Sequence, residues 1–379
     1  MMDYEVLKVI WWVLIGVLLI GFAITDGFDM GAGALMPFVG KTDTERRIAL
    51  NVLAPHWDGN QVWFITAGGA IFAAWPVVYS VAFSGFYWAM LLVLFALFFR
   101  PVGFEYRSKI KDPRWRSAWD WGIFAGSSIP ALVFGVAFGN LLQGVPFKLD
   151  SLMYSTYTGN FFQLLNPFAI LCGVVSVAML MLHGGNYLHL RTEGAVADRA
   201  RKYAGIAGVV SIVGFILAGL WLNFGIDGYV ITKMGDPNAA LNVLDKTVEV
   251  KSGAWFANYE AVPALWLAPI LGILCTLLSV LLGLKGRAGL AFVLSSLACA
   301  GVIFTAGGSM FPFVMPSSLD PASSLTMWDV VSSHKTMGIM FAVACIFVPI
   351  ILLYTTWCYY KMWGKVNAQH IENNPVGSY

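Results

Sequence analysis

Three aspartates near the start of the chain stand where lipid is expected. Asp26 and Asp29 close an apolar run that ends ITDGFDMGAG, and Asp58 lies in APHWDGNQVW at the head of a second run, FITAGGAIFAAWP. An Asp at the centre of a membrane helix costs about 2.5 to 3.5 kcal/mol on insertion scales, so each needs a proton, a counter-ion or a function. Spaced three apart, Asp26 and Asp29 share one helix face and repel, which leaves one of them to hold a proton or find a base. Asp58 follows Pro55 closely. The helix start favours its anion by about 0.3 to 1 kcal/mol, whereas full burial opposes it by more, and a buried Asp58 is then a proton-exchanging group unless an arginine pairs with it.

The base nearest to hand is Arg100, which ends the apolar run from Val81 to Phe99 on the side expected for Asp29 and Asp58. Beyond it, GFEYRSKIKD carries Glu105, Arg107 and Lys109 in a charged loop suited to feeding protons toward Asp58. Each feature also has a plainer reading. Acids at helix starts act as caps, arginines at helix ends snorkel, and basic loops report topology.

Of the five histidines, His56 and His183 are expected at helix ends on one side, His189 and His370 in segments of that side, and His334 across the membrane. A haem held between facing helices wants imidazoles well inside them, so haem ligation by this chain is not expected. The cysteines, Cys172, Cys275, Cys299, Cys345 and Cys358, lie in apolar runs without a CxxC pair and read as reduced core residues. Most of the 15 tryptophans fall near expected interfaces, as aromatic belts do, but Trp57 and Trp63 bracket the polar stretch itself and are placed to line a quinone or gas path. No Walker motif, dinucleotide fingerprint or HExxH zinc motif is present.

The elements that position these residues follow from composition. Of 379 residues, 58% are hydrophobic and 12% charged, and the mean hydropathy is +0.72. Such a chain is a polytopic membrane protein, and its net charge of +2 gives no reason to expect nucleic acid. Apolar stretches predict nine membrane helices in one integral membrane domain over residues 1–379, roughly at 8–28, 56–75, 77–99, 118–142, 163–183, 203–225, 262–284, 288–311 and 335–360. Trp75-Pro76 predicts a tight hairpin between the second and third. The acidic opening MMDYEVLKVIWW, without a small-residue cleavage site, reads as a retained first helix. Most Lys and Arg fall in the loops after helices one, three, five and seven and in the C-terminal tail; only Lys8, Lys148, Lys233, Lys246, Lys251 and Lys335 fall opposite. The positive-inside bias then puts the N-terminus outside and the C-terminus in the cytoplasm. Gln143–Phe162 and Thr232–Ala261 are the longer external segments and read as ordered caps.

Ten blocks in order carry a specific resemblance: DGFDMG (26–31), DTERR (43–47), APHWDGNQVW (54–63), GGAIFAAWP (68–76), FSGFY (83–87), FFRPVGFEYRSK (98–109), GNLLQGVPF (139–147), GIDGY (225–229), MFPFVMPSS (310–318) and LYTTWCYYKMWG (353–364). Nearly the whole chain thus resembles subunit II of cytochrome bd ubiquinol oxidase. The resemblance implies an all-α polytopic bundle of nine transmembrane helices, arranged as two four-helix bundles plus one peripheral helix, in the bacterial cytoplasmic (inner) membrane. It implies a terminal oxidase that reduces O2 to water with electrons from ubiquinol or another quinol and builds membrane potential without pumping protons. The partner, subunit I, holds two haems b and one haem d. This subunit is implied to stabilise that partner and to supply a cytoplasmic proton route and an oxygen path; it can hold a structural quinone. Small single-span accessory subunits and membrane lipid are implied further partners.

Carried over by position, Asp58 matches the inner acid of the proton route, and Glu105 and Lys109 its entrance acid and base. Family members known for that route have aspartate where this chain has Glu105. Asp26, Asp29 and Arg100 belong to the same charged blocks and are assigned to the same proton pathway, Trp63 is assigned to the mouth of the oxygen path, and Trp57 and His56 to its surroundings or a quinone contact. Composition alone leaves an ion-coupled secondary transporter open, and a purely structural scaffold as well.

Overall fold

Helix α1 runs from Tyr4 to Val39, capped by the Asp3 carboxylate accepting from the Glu5 amide, and its 36 residues pass through Pro37 to Gly40. At 1.5 Å per residue it spans about 54 Å, far beyond the roughly 30 Å of hydrocarbon. The run expected over 8–28 is therefore only the lipid-crossing part, and Asp26 and Asp29 lie inside a continuing helix. The computed structural model describes residues 2–235 and 242–373. Residues 236–241, within the expected external segment Thr232–Ala261, lie outside the described residues.

After α1 comes the short α2 (Asp43–Leu53), which no long apolar run announces because it is amphipathic; Thr42 and Glu45 close a capping box at its start. Helix α3 (Trp57–Ala74) stops at Trp75, since Pro76 cannot continue it. The chain bends by 120° into α4 (Pro76–Gly85) before α5 (Tyr87–Tyr106) begins. The expected tight hairpin is thus a two-step turn, and the expected helix 77–99 is two helices.

The rest alternates regularly: α6 (Pro113–Gln143), α7 (Pro167–Arg191), α8 (Gly194–Gly225), the one-turn α9 (Ala257–Ala261), α10 (Leu267–Leu284), α11 (Ala288–Met310), α12 (His334–Lys361) and α13 (Ala368–Asn373). Among the described residues eight helices are long and apolar enough to cross a membrane, or nine counting the bent α3–α4 pair as one. The chain is all-α in its membrane part. Helices α1, α3, α5 and α6 pack as one group and α7, α8, α10 and α11 as a second, joined mainly where α1 and α6 meet α7. Helix α12 stands at the periphery, with almost none of its apolar length buried.

Close packing of α1 on α7 depends on two glycines. A Cβ on Gly31 would stand 1.7 Å from the Leu180 carbonyl oxygen, and one on Gly184 2.2 Å from the Ala32 amide nitrogen. Lipid gives apolar helices no hydrophobic reason to associate, so such backbone approach supplies the attraction by van der Waals contact.

Among the described residues three antiparallel strand pairs cap one end: β1 (Phe147–Leu149) with β2 (Ser155–Tyr157), β3 (Asp227–Met234) with β4 (Lys246–Ser252), and β5 (Phe313–Met315) with β6 (Leu325–Thr326). They are stitched to the helix ends and to one another. Trp255 Nε1 donates to the Leu142 carbonyl at 2.9 Å, the Val145 amide to that of Pro316 at 2.9 Å, and Lys8 Nζ to that of Trp328 at 2.7 Å. Lys246 reaches Asp329 at 2.8 Å in a buried ion pair. Burial pushes the Lys246 ammonium down from its ordinary value and the Asp329 carboxyl up, and each charge opposes the other's displacement.

The opposite, basic end is tied by ions. Arg107, buried at the turn after α5, meets Asp120 at 2.5 Å and Asp43 at 3.0 Å, while Arg46 and Arg116 pair with the same two acids. Glu45 meets Arg199 at 2.5 Å. The cysteines carry one correction to the sequence reading: Cys345 is exposed on α12, although Cys275 and Cys299 are buried.

Candidate functional site

Near the basic end, α1 turns its two aspartates into the bundle, and both are buried. Arg100 on α5 takes Asp26 in a bidentate grip, Nη2 to Oδ1 at 2.6 Å and Nη1 to Oδ2 at 3.0 Å. Glycine permits this approach: a Cβ on Gly126 of α6 would stand 2.7 Å from the Ala96 carbonyl oxygen and 3.2 Å from Arg100 Cγ. Arg100 thus meets Asp26, and its pairing is with neither Asp58 nor Asp29. The repulsion expected between the two aspartates is relieved by a base that serves one of them.

Asp29 is held differently. Asn60 Nδ2 on α3 donates to Asp29 Oδ2 at 2.7 Å, and the Tyr359 hydroxyl on α12 donates to Asn60 Oδ1 at 2.5 Å. The second oxygen, Oδ1, is buried and accepts no hydrogen bond from the described residues. His56 stacks on the Tyr359 ring with centroids 4.2 Å apart and planes 13° from parallel.

Below this line Arg191 donates to the Tyr187 hydroxyl at 2.8 Å and to the carbonyls of Gly364 and Met362 at 2.6 and 2.9 Å. The Val366 amide returns a bond to the Arg191 carbonyl. The tail after α12 is thereby strapped across the basic end, and Val366 and Ile371 join the core of α1, α2 and α7.

Asp58, Glu105 and Lys109 lie elsewhere. All three are exposed on this chain's surface. Asp58 is therefore not buried by its own subunit, so the condition that made it a proton-exchanging acid has to be met by whatever packs against it. Their helices meet at this end, for the Trp57 ring packs on Phe104 with centroids 5.5 Å apart. Arg107, grouped with Glu105 and Lys109 by sequence, is locked to Asp120 and Asp43.

Trp63 packs against α1, where a Cβ on Gly21 would fall 2.6 Å from Trp63 Cε3. His183 lies about two turns inside α7, further in than the sequence suggests. Its ring nitrogens engage Ser295 Oγ at 2.8 Å and the Ile24 carbonyl at 2.9 Å, and its ring stacks on Phe292. Those bonds occupy both nitrogens a metal would need.

Asn60, Tyr359, Tyr187, Arg191 and Asp120 were not singled out by sequence. Asn60 stood in plain view inside APHWDGNQVW, and its polarity was the available signal. Tyr359 gave none, because α12 is separated from α3 by most of the chain.

A cavity of about 790 Å³ opens between the two helix groups, lined by Phe22, Phe134, Phe138, Met179 and other apolar side chains, with Asn223, Tyr259 and Glu260 among its few polar members.

The chain matches the family described as cytochrome bd terminal oxidase subunit II over residues 7–362. It is 59% identical to the cytochrome bd-I ubiquinol oxidase subunit 2 of Escherichia coli (strain K12) across the whole of both chains. The probable cytochrome oxidase subunit 2 of Haemophilus influenzae is 57% identical over the same extent, and the cytochrome bd ubiquinol oxidase subunit 2 of Bacillus subtilis 33% identical over 94% of this chain and 96% of its own. Among solved structures, the bd oxidase of Geobacillus thermodenitrificans shares the fold with a TM-score of 0.69, at 14% identity, over 95% of this chain and 100% of the other.

Proposed function

Since the chain belongs to the cytochrome bd terminal oxidase subunit II family, we propose that it serves the oxidase by carrying protons and oxygen toward a haem-bearing subunit I. It is a multi-pass membrane subunit of a quinol oxidase, and family membership sets aside the ion-coupled transporter.

One observation carries the proton role: Asp58 at the start of α3, Glu105 near the end of α5 and Lys109 in the turn after it are all exposed, at helix ends linked by the contact of the Trp57 ring with Phe104. An acid at lipid depth must be enclosed by protein, and the uncovered faces of α3, α5 and α12 are the surfaces on which subunit I supplies that enclosure. The route then runs along the seam between subunits, from Glu105 and Lys109 at the cytoplasmic side to Asp58. The basic loops support that orientation, with the N-terminus periplasmic and the C-terminus cytoplasmic. Asp26, Asp29 and Arg100 form a buried charge group that belongs to the same proton machinery in this reading.

Trp63 and the apolar side chains around it, Phe22 and Phe64 among them, support an oxygen path at this height. Trp57 and His56 flank the seam. The 790 Å³ cavity suits an isoprenoid quinone, whose tail needs apolar walls and whose head needs the few polar groups at Asn223, Tyr259 and Glu260. Two haems b and one haem d belong to subunit I in this reading; His183, about two turns inside α7, has both nitrogens engaged. The haems supply the oxygen chemistry, and this chain's residues supply protons, access and support. Small accessory subunits and lipid cover the remaining apolar faces.

The experiment replaces Asp58 with Asn in the assembled complex with its full haem absorbance. Oxygen consumption is expected to fall about tenfold or more, as for loss of a group that moves protons in the rate-limiting step. Wild-type turnover in that complex would leave the subunit a scaffold.

A further inference from the structure

Asp29 is reached by side chains from four other helices. Asn60 of α3 binds its Oδ2, Arg100 of α5 lies nearby but grips Asp26, and the Tyr187 and Tyr359 hydroxyls of α7 and α12 stand within electrostatic reach. Asp26, one turn back on α1, is the other acid facing it. His56, behind the Tyr359 ring, completes the group.

The polarity of Asn60 decides what Asp29 can do. An amide presents an acceptor on one side and donors on the other, and nothing in its own structure fixes which faces the acid. Here two bonds select the orientation together: the Tyr359 hydroxyl donates to Asn60 Oδ1, and Nδ2 on the other side donates to the Asp29 carboxylate. Oδ2 of Asp29 is then committed as an acceptor. A proton on Asp29 is therefore carried by Oδ1, the buried oxygen that accepts no hydrogen bond from the described residues. An amide does not pass protons without tautomerising, so Asn60 and Tyr359 are positioning residues and form no wire.

We propose that Tyr359, acting through Asn60, orients Asp29 so that Oδ1 alone takes up and releases a proton during turnover. The step forms and breaks one O–H bond: a hydronium ion on the route gives its proton to Oδ1 and becomes water, Asp29 passes from anion to neutral acid, and the same proton then passes onward to the reduction of oxygen to water that consumes it. Helix α12, otherwise barely packed on its own chain, thereby has a role in the oxidase. The inference rests on the reading of Asp29 as part of the proton machinery and adds the residues that set its geometry.

The test uses the intact, haem-replete oxidase and compares wild type with Tyr359→Phe, Asp29→Asn and the double variant. Tyr359→Phe keeps the ring on His56 and removes only the hydroxyl. Loss of one buried hydrogen bond predicts a fall in turnover of roughly three- to tenfold. Added to Asp29→Asn, the same change is expected to have no further effect, because the groups act as a unit. Redox-difference infrared spectra supply the readout that a structural defect does not move. A carboxyl C=O band is expected in wild type, absent in Asp29→Asn and shifted in frequency in Tyr359→Phe. Full turnover of a haem-replete Asp29→Asn complex overturns the reading on which the inference stands. Slow Asp29→Asn with an unchanged band and turnover in Tyr359→Phe overturns the inference alone. If Asp29→Asn does not assemble, Asp29→Glu takes its place: it is expected to move the band, and a band that neither Asp29→Glu nor Tyr359→Phe moves also overturns the proposal.

Discussion

Arg100 and Asp26, 74 residues apart in sequence, are joined by two hydrogen bonds of 2.6 and 3.0 Å, with both side chains fully buried. Removing one partner leaves a charge without its counter-ion in a medium that cannot solvate it. Arg100→Leu or Asp26→Leu alone is expected to cost about 3 to 5 kcal/mol, whereas the double Leu variant costs much less because both charges go together. Thermal melting and haem content of the purified complex read this out. Additive losses in the double variant would show that the pair is not a unit.

Backbone contact between α1 and α7 leaves no room for a methyl group at Gly31, where the Leu180 carbonyl oxygen would be 1.7 Å away. Gly31→Ala is expected to destabilise the subunit by about 3 kcal/mol or more, since backbone on both sides must move. Gly16→Ala on the same helix meets nothing within 4 Å and serves as the control. Membrane yield and melting temperature compare the two; equal behaviour contradicts the packing described.

Glu45 ties α2 to the bundle. Burial pushes its carboxyl up, but the bond from Arg199 and those from the Lys41 and Thr42 amides outweigh this and hold it below its ordinary 4.5. A carboxyl lowered in the folded state adds stability above the unfolded value, and that contribution is lost as pH falls through the folded one. Glu45→Ala is expected to cost about 1 kcal/mol near neutrality, as for loss of a helix cap. The gap to wild type narrows as pH drops below 4.5. Melting curves across that range check it, and a constant gap is the contrary result.

The apolar runs, their number and the side on which positive charge collects were legible because each depends on composition within a single segment. The amphipathic α2 carries no apolar run of membrane length, and the two-step turn through α4 shows in the sequence only as one proline. The ten sequence blocks carried the family, since order and spacing of motifs need no coordinates. The charges were also legible as anomalies: Asp26, Asp29, Asp58 and Arg100 were all costly residues for lipid.

Which of them meet was decided by tertiary structure. Asp58 and Asn60 are two residues apart and so point about 200° apart around α3. One faces out and the other reaches Asp29, and nothing in APHWDGNQVW says which. That choice is made by α1 lying against α3 and by α12 bringing Tyr359 from 299 residues away. A sequence states what a helix carries; the rotation of that helix about its axis is set by what packs against it. For this reason the cost of these charges was readable in one dimension, and their partners only in three.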